Sequence, residues 1–145
     1  MTAPHAFVSP TSLPASALLA LAHRGLVEAA SSPLPTERYA LAHLAALRSA
    51  AAVLACRARP SGAPTRRSRP TSAWVLLADV APELGEWAGF FAAGARKRAA
   101  AEAGLPSAVT DRESDDLLRD AQTFLSVVET TLGLAGSQLL LASSG

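Results

Sequence analysis

The chain has 145 residues, of which half are apolar and only 5% aromatic, and its formal net charge is +1 at neutral pH. This length suits one domain with a substantial core, and the near-zero net charge gives no whole-chain argument for nucleic acid or membrane binding. Alanine and leucine supply most of the apolar content, which favours helix over strand. The single cysteine, Cys56, excludes an internal disulfide and indicates a reducing, cytoplasmic protein.

The first predicted elements are a flexible leader and an amphipathic helix. Residues 1–14 are rich in Pro, Ser and Thr, and the apolar spacing that follows predicts a helix ending near Ser31. The apolar run Leu13–Ala22 is too short to span a bilayer and has no basic leader, so no membrane association is expected. Gly25 indicates either close approach of another helix or a tolerated surface glycine.

A second helix is predicted from an N-cap at Thr36 to Arg57, followed by a basic, flexible loop over residues 58–70. No acidic residue lies between Glu37 and Asp79, so a polyanion would approach this part of the chain. The predicted buried stripe of the helix consists of Ala40, Leu44, Leu47, Ala51 and Leu54, and the arginines at and beyond its end are Arg57, Arg59, Arg66, Arg67 and Arg69.

The third helical segment contains nearly all the large aromatic residues and is predicted to form the centre of the core. Thr71 or Ser72 caps it, and it should run to just before Gly104. Its apolar stripe keeps phase through Pro82, which indicates either one kinked helix or two collinear pieces with Pro82 opening the second. The stripe consists of Trp74, Leu77, Val80, Leu84, Trp87, Phe91 and Ala95.

A fourth long helix starts at the capping box Thr110–Glu113 and ends at Gly133, and residues 134–145 form a loose tail. Its predicted buried face consists of Leu117, Leu118, Ala121, Phe124, Leu125, Val128 and Leu132. Four long helices without a competing strand pattern predict an all-α fold, an antiparallel four-to-five-helix bundle over residues 15–133.

Most enzyme classes lack support in the sequence. There is no glycine-rich phosphate loop, no metal-ligand spacing and no nucleophile elbow, so no cofactor or metal is predicted. Ser114 with Asp115, Asp116 and a histidine could be imagined as a triad, but residue types alone say nothing of geometry. Asp115, Asp116 and Asp120 could also ligate a divalent cation, although acidic residues in an early helical turn are expected simply to favour the helix dipole.

One pair, Arg38 and His43, points to a specific chemistry. An arginine can hold a phosphate and a histidine can move a proton to or from a ribose hydroxyl, so together they could cleave RNA without a metal. On an ideal helix their side chains point about 140° apart, so convergence requires an irregular first turn or a symmetric dimer. The alternative is that His43 is a hydrogen-bonded core histidine.

The helical layout resembles the HEPN domain superfamily, in particular its small stand-alone members from high-GC bacteria. The segments that suggest this are Glu37–Tyr39 leading into Ala42–Arg48, Ser72–Trp74, Pro82–Leu84 with Trp87, and Asp115–Ala121. The resemblance implies a dimer that binds RNA or cleaves it without a metal, using an Arg followed four to six residues later by a His. Arg38 and His43 fit this spacing, but the family motif usually lies on a later helix, often with a polar residue where this chain has Tyr39.

Three hypotheses follow for function. The first is a HEPN-like module that binds RNA or a partner protein, with the arginines between Arg57 and Arg69 facing phosphates. The second is a metal-independent endoribonuclease that uses Arg38 and His43. The third is a structural module that associates with itself or with another helical protein and involves no nucleic acid.

Overall fold

The structure is a computed structural model that describes residues 13–57 and 72–133. None of these residues forms a strand, so the predicted all-α bundle is confirmed. The leader to residue 12, the basic segment 58–71 and the tail from residue 134 lie outside the described residues. The helices are α1 (Ala15–Ser31), α2 (Pro35–Arg57), α3 (Ala73–Val80), α4 (Gly85–Ala93), α5 (Ala95–Glu102) and α6 (Asp111–Leu132), with a 3₁₀ turn at Pro82–Leu84.

Helix α2 is the centre of the bundle and packs against α1, α3, α5 and α6. It is long and apolar enough to cross a membrane by composition alone, but these four contacts account for its apolar character. The predicted buried stripe was wrong, because its members are only partly buried. Small residues are buried instead, where neighbouring helices approach most closely. These small residues are Ala42, Ala45, Ala46, Ala50, Ala52 and Val53, and Tyr39 is the one large apolar residue of α2 that is buried with them.

The sequence made one prediction about the contact between α1 and α2 and one about the start of α2. Gly25 is buried, and a Cβ there would lie 3.5 Å from the Cβ of Ala45, so the expected close approach of another helix is confirmed. The predicted N-cap at Thr36 was wrong. Helix α2 begins at Pro35, which places Thr36 inside the first turn, because proline at a first helical position has a favourable φ and no N–H to satisfy.

The third predicted segment is divided into three helices. Ser72 is the N-cap of α3 and accepts a 3.3 Å hydrogen bond from the Val75 amide, and Pro82 opens a separate piece that leads into α4. A second break at Gly94 was not predicted. A Cβ at Gly94 would lie 2.9 Å from the Tyr39 hydroxyl. The break between α4 and α5 therefore lies at a glycine that lets Tyr39 of α2 approach the backbone closely.

Helix α6 follows the sequence prediction closely. The Thr110 hydroxyl accepts from the Glu113 amide at 3.0 Å, and the Glu113 carboxylate accepts from the Thr110 amide at 2.9 Å. These reciprocal bonds are the predicted capping box. At the other end Gly133 has φ of 74°, the left-handed conformation that glycine adopts without strain.

An aromatic cluster joins α3, α4 and α6. The rings of Trp74 and Phe91 stack with centroids 5.3 Å apart, and Phe124 of α6 lies 5.1 Å from Phe91. Trp87 stacks on the other side of this group, 6.0 Å from Phe91. The prediction that the third segment forms the aromatic core is confirmed, except that Ala95 is exposed.

Candidate functional site: Arg38 and His43

Arg38 lies in the first turns of α2 with a side chain that is only 13% exposed. Its Nη1 donates to the Ser114 hydroxyl at 2.8 Å and to the Asp115 carboxylate at 3.0 Å. Its Nη2 donates to the backbone carbonyl of Ser32 at 2.9 Å. The guanidinium therefore links the α1–α2 connection to the first turn of α6. We call this set of contacts the Arg38 clamp.

Neighbouring polar groups complete the Arg38 clamp. Ser114 is fully buried, and its hydroxyl donates to the carbonyl of Asp111 at 3.0 Å while accepting from Arg38. Ser32, also buried, donates its hydroxyl to the Glu37 carboxylate at 2.5 Å. Buried polar groups are costly without partners, and a charged donor is a strong one. The Arg38 guanidinium thus supplies hydrogen bonds to oxygens of two buried residues, Ser32 just before α2 and Ser114 in the first turn of α6.

His43 lies one turn further along α2 and is 1% exposed. Its Nε2 donates to the backbone carbonyl of Phe91 at 2.8 Å, which fixes the ring against α4. The imidazole stacks on Tyr39 at 6.3 Å between centroids and meets Trp74 and Phe91 edge-on. The expected alternative of a hydrogen-bonded core histidine describes this position.

The surroundings of His43 favour its neutral form. Burial lowers the pKa of the imidazole, and the nearby Arg98 guanidinium lowers it further, while the bond to Phe91 and the Glu102 carboxylate act in the opposite direction. Because Nε2 carries the proton, Nδ1 is unprotonated, and it has no hydrogen-bond partner among the described residues. The imidazole is thus enclosed by side chains of α2, α3 and α4.

The two predicted catalytic residues have separate partners within one chain. Arg38 contacts the start of α6, whereas His43 contacts α3 and α4, and within the described residues no hydrogen bond joins the two side chains. The catalytic assignment of this pair stays a prediction. Sequence reasoning missed Ser32 and Ser114 as partners of Arg38, because serines beside helix starts are common and nothing local shows which distant cation they bind.

The predicted phosphate-facing arginines are only partly within view. Arg57 ends α2, with its side chain 33% exposed, and pairs with the Glu83 carboxylate at 2.8 Å. The pKa of Glu83 is lowered by its own backbone amide and then by Arg57. Arg59, Arg66, Arg67 and Arg69 lie outside the described residues. The structure thus places Arg57 beside the 3₁₀ turn at Pro82–Leu84.

The other chemistry considered from the sequence gains no support in residues 13–57 and 72–133. No group of three or more His, Cys, Asp or Glu side chains there is arranged to hold a metal ion. The Ser114 hydroxyl bonds to Arg38 and the Asp111 carbonyl, and neither His23 nor His43 is among its partners. His23 bonds instead to Glu129 at 2.7 Å.

These observations define an α-helical bundle built on one central helix, with a buried cation at a helix junction. A family model described as SAV_6107-like HEPN matches residues 29–129, a range that begins in α1 and ends in α6. Since this range covers more than half of the chain, the protein belongs to the HEPN domain superfamily. Neither the curated proteins nor the solved structures contain a significant match to it.

Proposed function

We propose that this protein is a non-catalytic HEPN module that binds RNA through the arginines of the segment from Arg57 to Arg69. The observation that supports the absence of catalysis is the separate engagement of Arg38 and His43. The arginine is committed to buried oxygens, and the imidazole is sealed in the aromatic core. Both groups stabilise the fold instead of facing a substrate.

RNA binding is proposed on the distribution of charge. Seven arginines and no acidic residue occupy positions 38 to 78, and five of these arginines fall between Arg57 and Arg69. The described acidic residues concentrate on α6, at Asp111, Glu113, Asp115, Asp116, Asp120 and Glu129. A polyanion is attracted to the first region and repelled by the second.

The test is the salt dependence of RNA binding in two charge-matched variants. Fluorescence anisotropy with a labelled single-stranded RNA pool gives the affinity between about 50 and 200 mM salt. Replacing Arg66 and Arg67 with glutamine should weaken binding and reduce the slope of log affinity against log salt by about 1.4, or 0.7 per lost phosphate contact. Replacing Arg112 and Arg119, which are exposed on α6, removes the same charge and should leave the slope unchanged.

A cleavage assay in EDTA on the same RNA pool separates the nuclease alternative from this proposal. Intact RNA after long incubation supports a binding module. Cleavage that disappears in both Arg38→Met and His43→Phe proteins, while both remain folded, would establish the metal-independent endoribonuclease. Unchanged affinity and slope in the Arg66/Arg67 variant would refute the RNA interface.

Self-association is a second candidate, favoured by a groove between α1 and α6. The groove measures about 520 Å³ and is lined on one side by Leu26 and Val27 and on the other by Leu125. Val27 is 71% exposed and lies in this groove, so a partner seated there would cover it. A homodimer formed here should dissociate in the Val27→Asp protein and persist in Leu105→Asp, a control at another exposed apolar residue, as measured by light scattering.

A further inference from the structure

Two adjoining clefts lie between α4, α5 and α6, and the second begins at the helical turn of α6 that carries the Arg38 clamp's serine. Each measures about 310 Å³, and Phe90 and Asp120 line both of them. Trp87 and Glu86 complete the first, and Lys97 and Asp116 lie in the second. We call the combined surface the Phe90 cleft. Each of its two parts is at the lower end of the size range for small-molecule sites, about 300 Å³.

Aromatic rings form one wall of the Phe90 cleft. Phe90 is 46% exposed although it belongs to a helix whose next residue, Phe91, is fully buried. Its ring is held edge-on against Phe91 with centroids 5.0 Å apart, so packing fixes the exposed ring. Trp87 is held in turn against Phe91 and Phe124. Ring faces fixed at a surface attract cations through their quadrupole.

Carboxylates of α6, together with Glu86 of α4, also line the cleft. Glu113 pairs with Lys97 at 2.8 Å, and Asp116 pairs with Arg119 at 2.6 Å and with Arg112 at 3.7 Å. Among the described residues, Glu86 and Asp120 have no ion-pair partner. The pKa of Asp120 is raised by burial and then by the neighbouring Asp116 charge, with Arg119 acting in the opposite direction. The site thus presents excess negative charge beside an aromatic surface, and a cation placed there would relieve the repulsion.

We propose that the Phe90 cleft binds an organic cation, specifically the guanidinium group of an arginine side chain on a partner protein. A guanidinium is planar, so it stacks on Phe90 or Trp87 while its N–H groups donate to Asp120 and Glu86. An ammonium group is also attracted to a ring face, but it cannot stack flat on the ring while donating in a fixed fork to two carboxylates. The carboxylates repel phosphate, so this site is independent of the proposed RNA interface and can be tested without RNA.

Tryptophan fluorescence gives a direct measurement, because Trp87 lines the cleft whereas Trp74 is buried. The probe is a blocked Gly-Arg-Gly peptide, and the matched neutral probe has citrulline in place of arginine. Saturable quenching by the arginine peptide, absent with the citrulline peptide, is the expected result. Asp120→Asn and Phe90→Leu should each weaken binding about threefold to fivefold. Asp79→Asn, an exposed charge change on α3, should leave it unchanged.

Three results would overturn the proposal. These are equal binding of the citrulline peptide, no saturable quenching in the unmodified protein, and unchanged affinity in both cleft variants when circular dichroism shows that they are folded. A third probe, propylguanidine, carries the same single guanidinium charge as a free small molecule. If propylguanidine binds about tenfold more tightly than the peptide, a protein-borne arginine is the wrong source.

Discussion

Replacing Arg38 with methionine should cost about 2–3 kcal/mol of stability, a figure that follows from the burial of its partners. Methionine retains most of the unbranched stem but removes the guanidinium. The contacts to the Ser32 carbonyl and the Ser114 hydroxyl involve buried residues. Each should contribute about 1–1.5 kcal/mol, at or below the lower end of the roughly 1.5–3 kcal/mol for hydrogen bonds to charged groups, because the guanidinium side chain keeps 13% exposure. The Asp115 carboxylate is 58% exposed, so its loss as a partner adds little.

Urea unfolding followed by circular dichroism at the helical band measures this change in the free energy of unfolding. In a separate thermal unfolding experiment the midpoint should fall by roughly 6–9 °C, at about 3 °C per kcal/mol. The matched control is Arg119→Met, which removes an arginine that is 65% exposed and pairs with a half-exposed Asp116. It should change stability by less than about 0.5 kcal/mol. Equal, small effects in the two variants would refute the clamp. Full stability with lost RNA cleavage would instead make Arg38 catalytic.

Three further predictions concern residues that the structure places with equal clarity. The folded-state pKa of His43 is below its ordinary value of 6.5, so the unfolded chain binds more protons than the folded protein does. The free energy of unfolding should therefore fall as the pH decreases from about 6.5. Urea unfolding between pH 7 and 5 should show this fall in the natural protein and not in His43→Phe. Gly94→Ala should destabilise the protein by about 1–2 kcal/mol, because the new Cβ would clash with the Tyr39 hydroxyl. Gly25→Ala has its nearest neighbour at 3.5 Å, so it should be neutral or up to about 1 kcal/mol more stable. If urea unfolding showed Gly94→Ala to be the more stable of the two variants, this description of the packing would be wrong. Thr110→Ala should cost about 1 kcal/mol by removing the capping box, and Thr110→Ser should restore most of it in the same assay.

Local signals in the sequence predicted the elements whose ends depend on nearby residues. The capping box at Thr110, the terminal Gly133 and the cap at Ser72 were all found this way, since each bond joins atoms within a few residues. Pro82 also separated α3 from α4 as one of two stated alternatives. The all-α bundle followed from these elements together with the lack of a strand pattern.

Features that depend on distant neighbours were not predictable in the same way. The buried face of α2 was predicted wrongly. A stripe of larger apolar residues marks the buried face of a helix when one side of that helix faces the core. Helix α2 is contacted by four other helices, so this rule does not apply to it. The break at Gly94 depends on the Tyr39 hydroxyl, 55 positions earlier in the chain. The partners of Arg38 on α6 are likewise remote, at a separation of 76 residues for Ser114.

The alanine face of α2 restricts how this protein can vary. Any side chain larger than alanine at positions such as Ala42, Ala46 or Ala50 would have to separate two helices, and any residue with more backbone freedom would loosen the central one. Only alanine fits these positions without loss of stability, and serine or glycine fit with some loss. Substitutions should therefore be tolerated better at the exposed positions of α5 than on this face of α2.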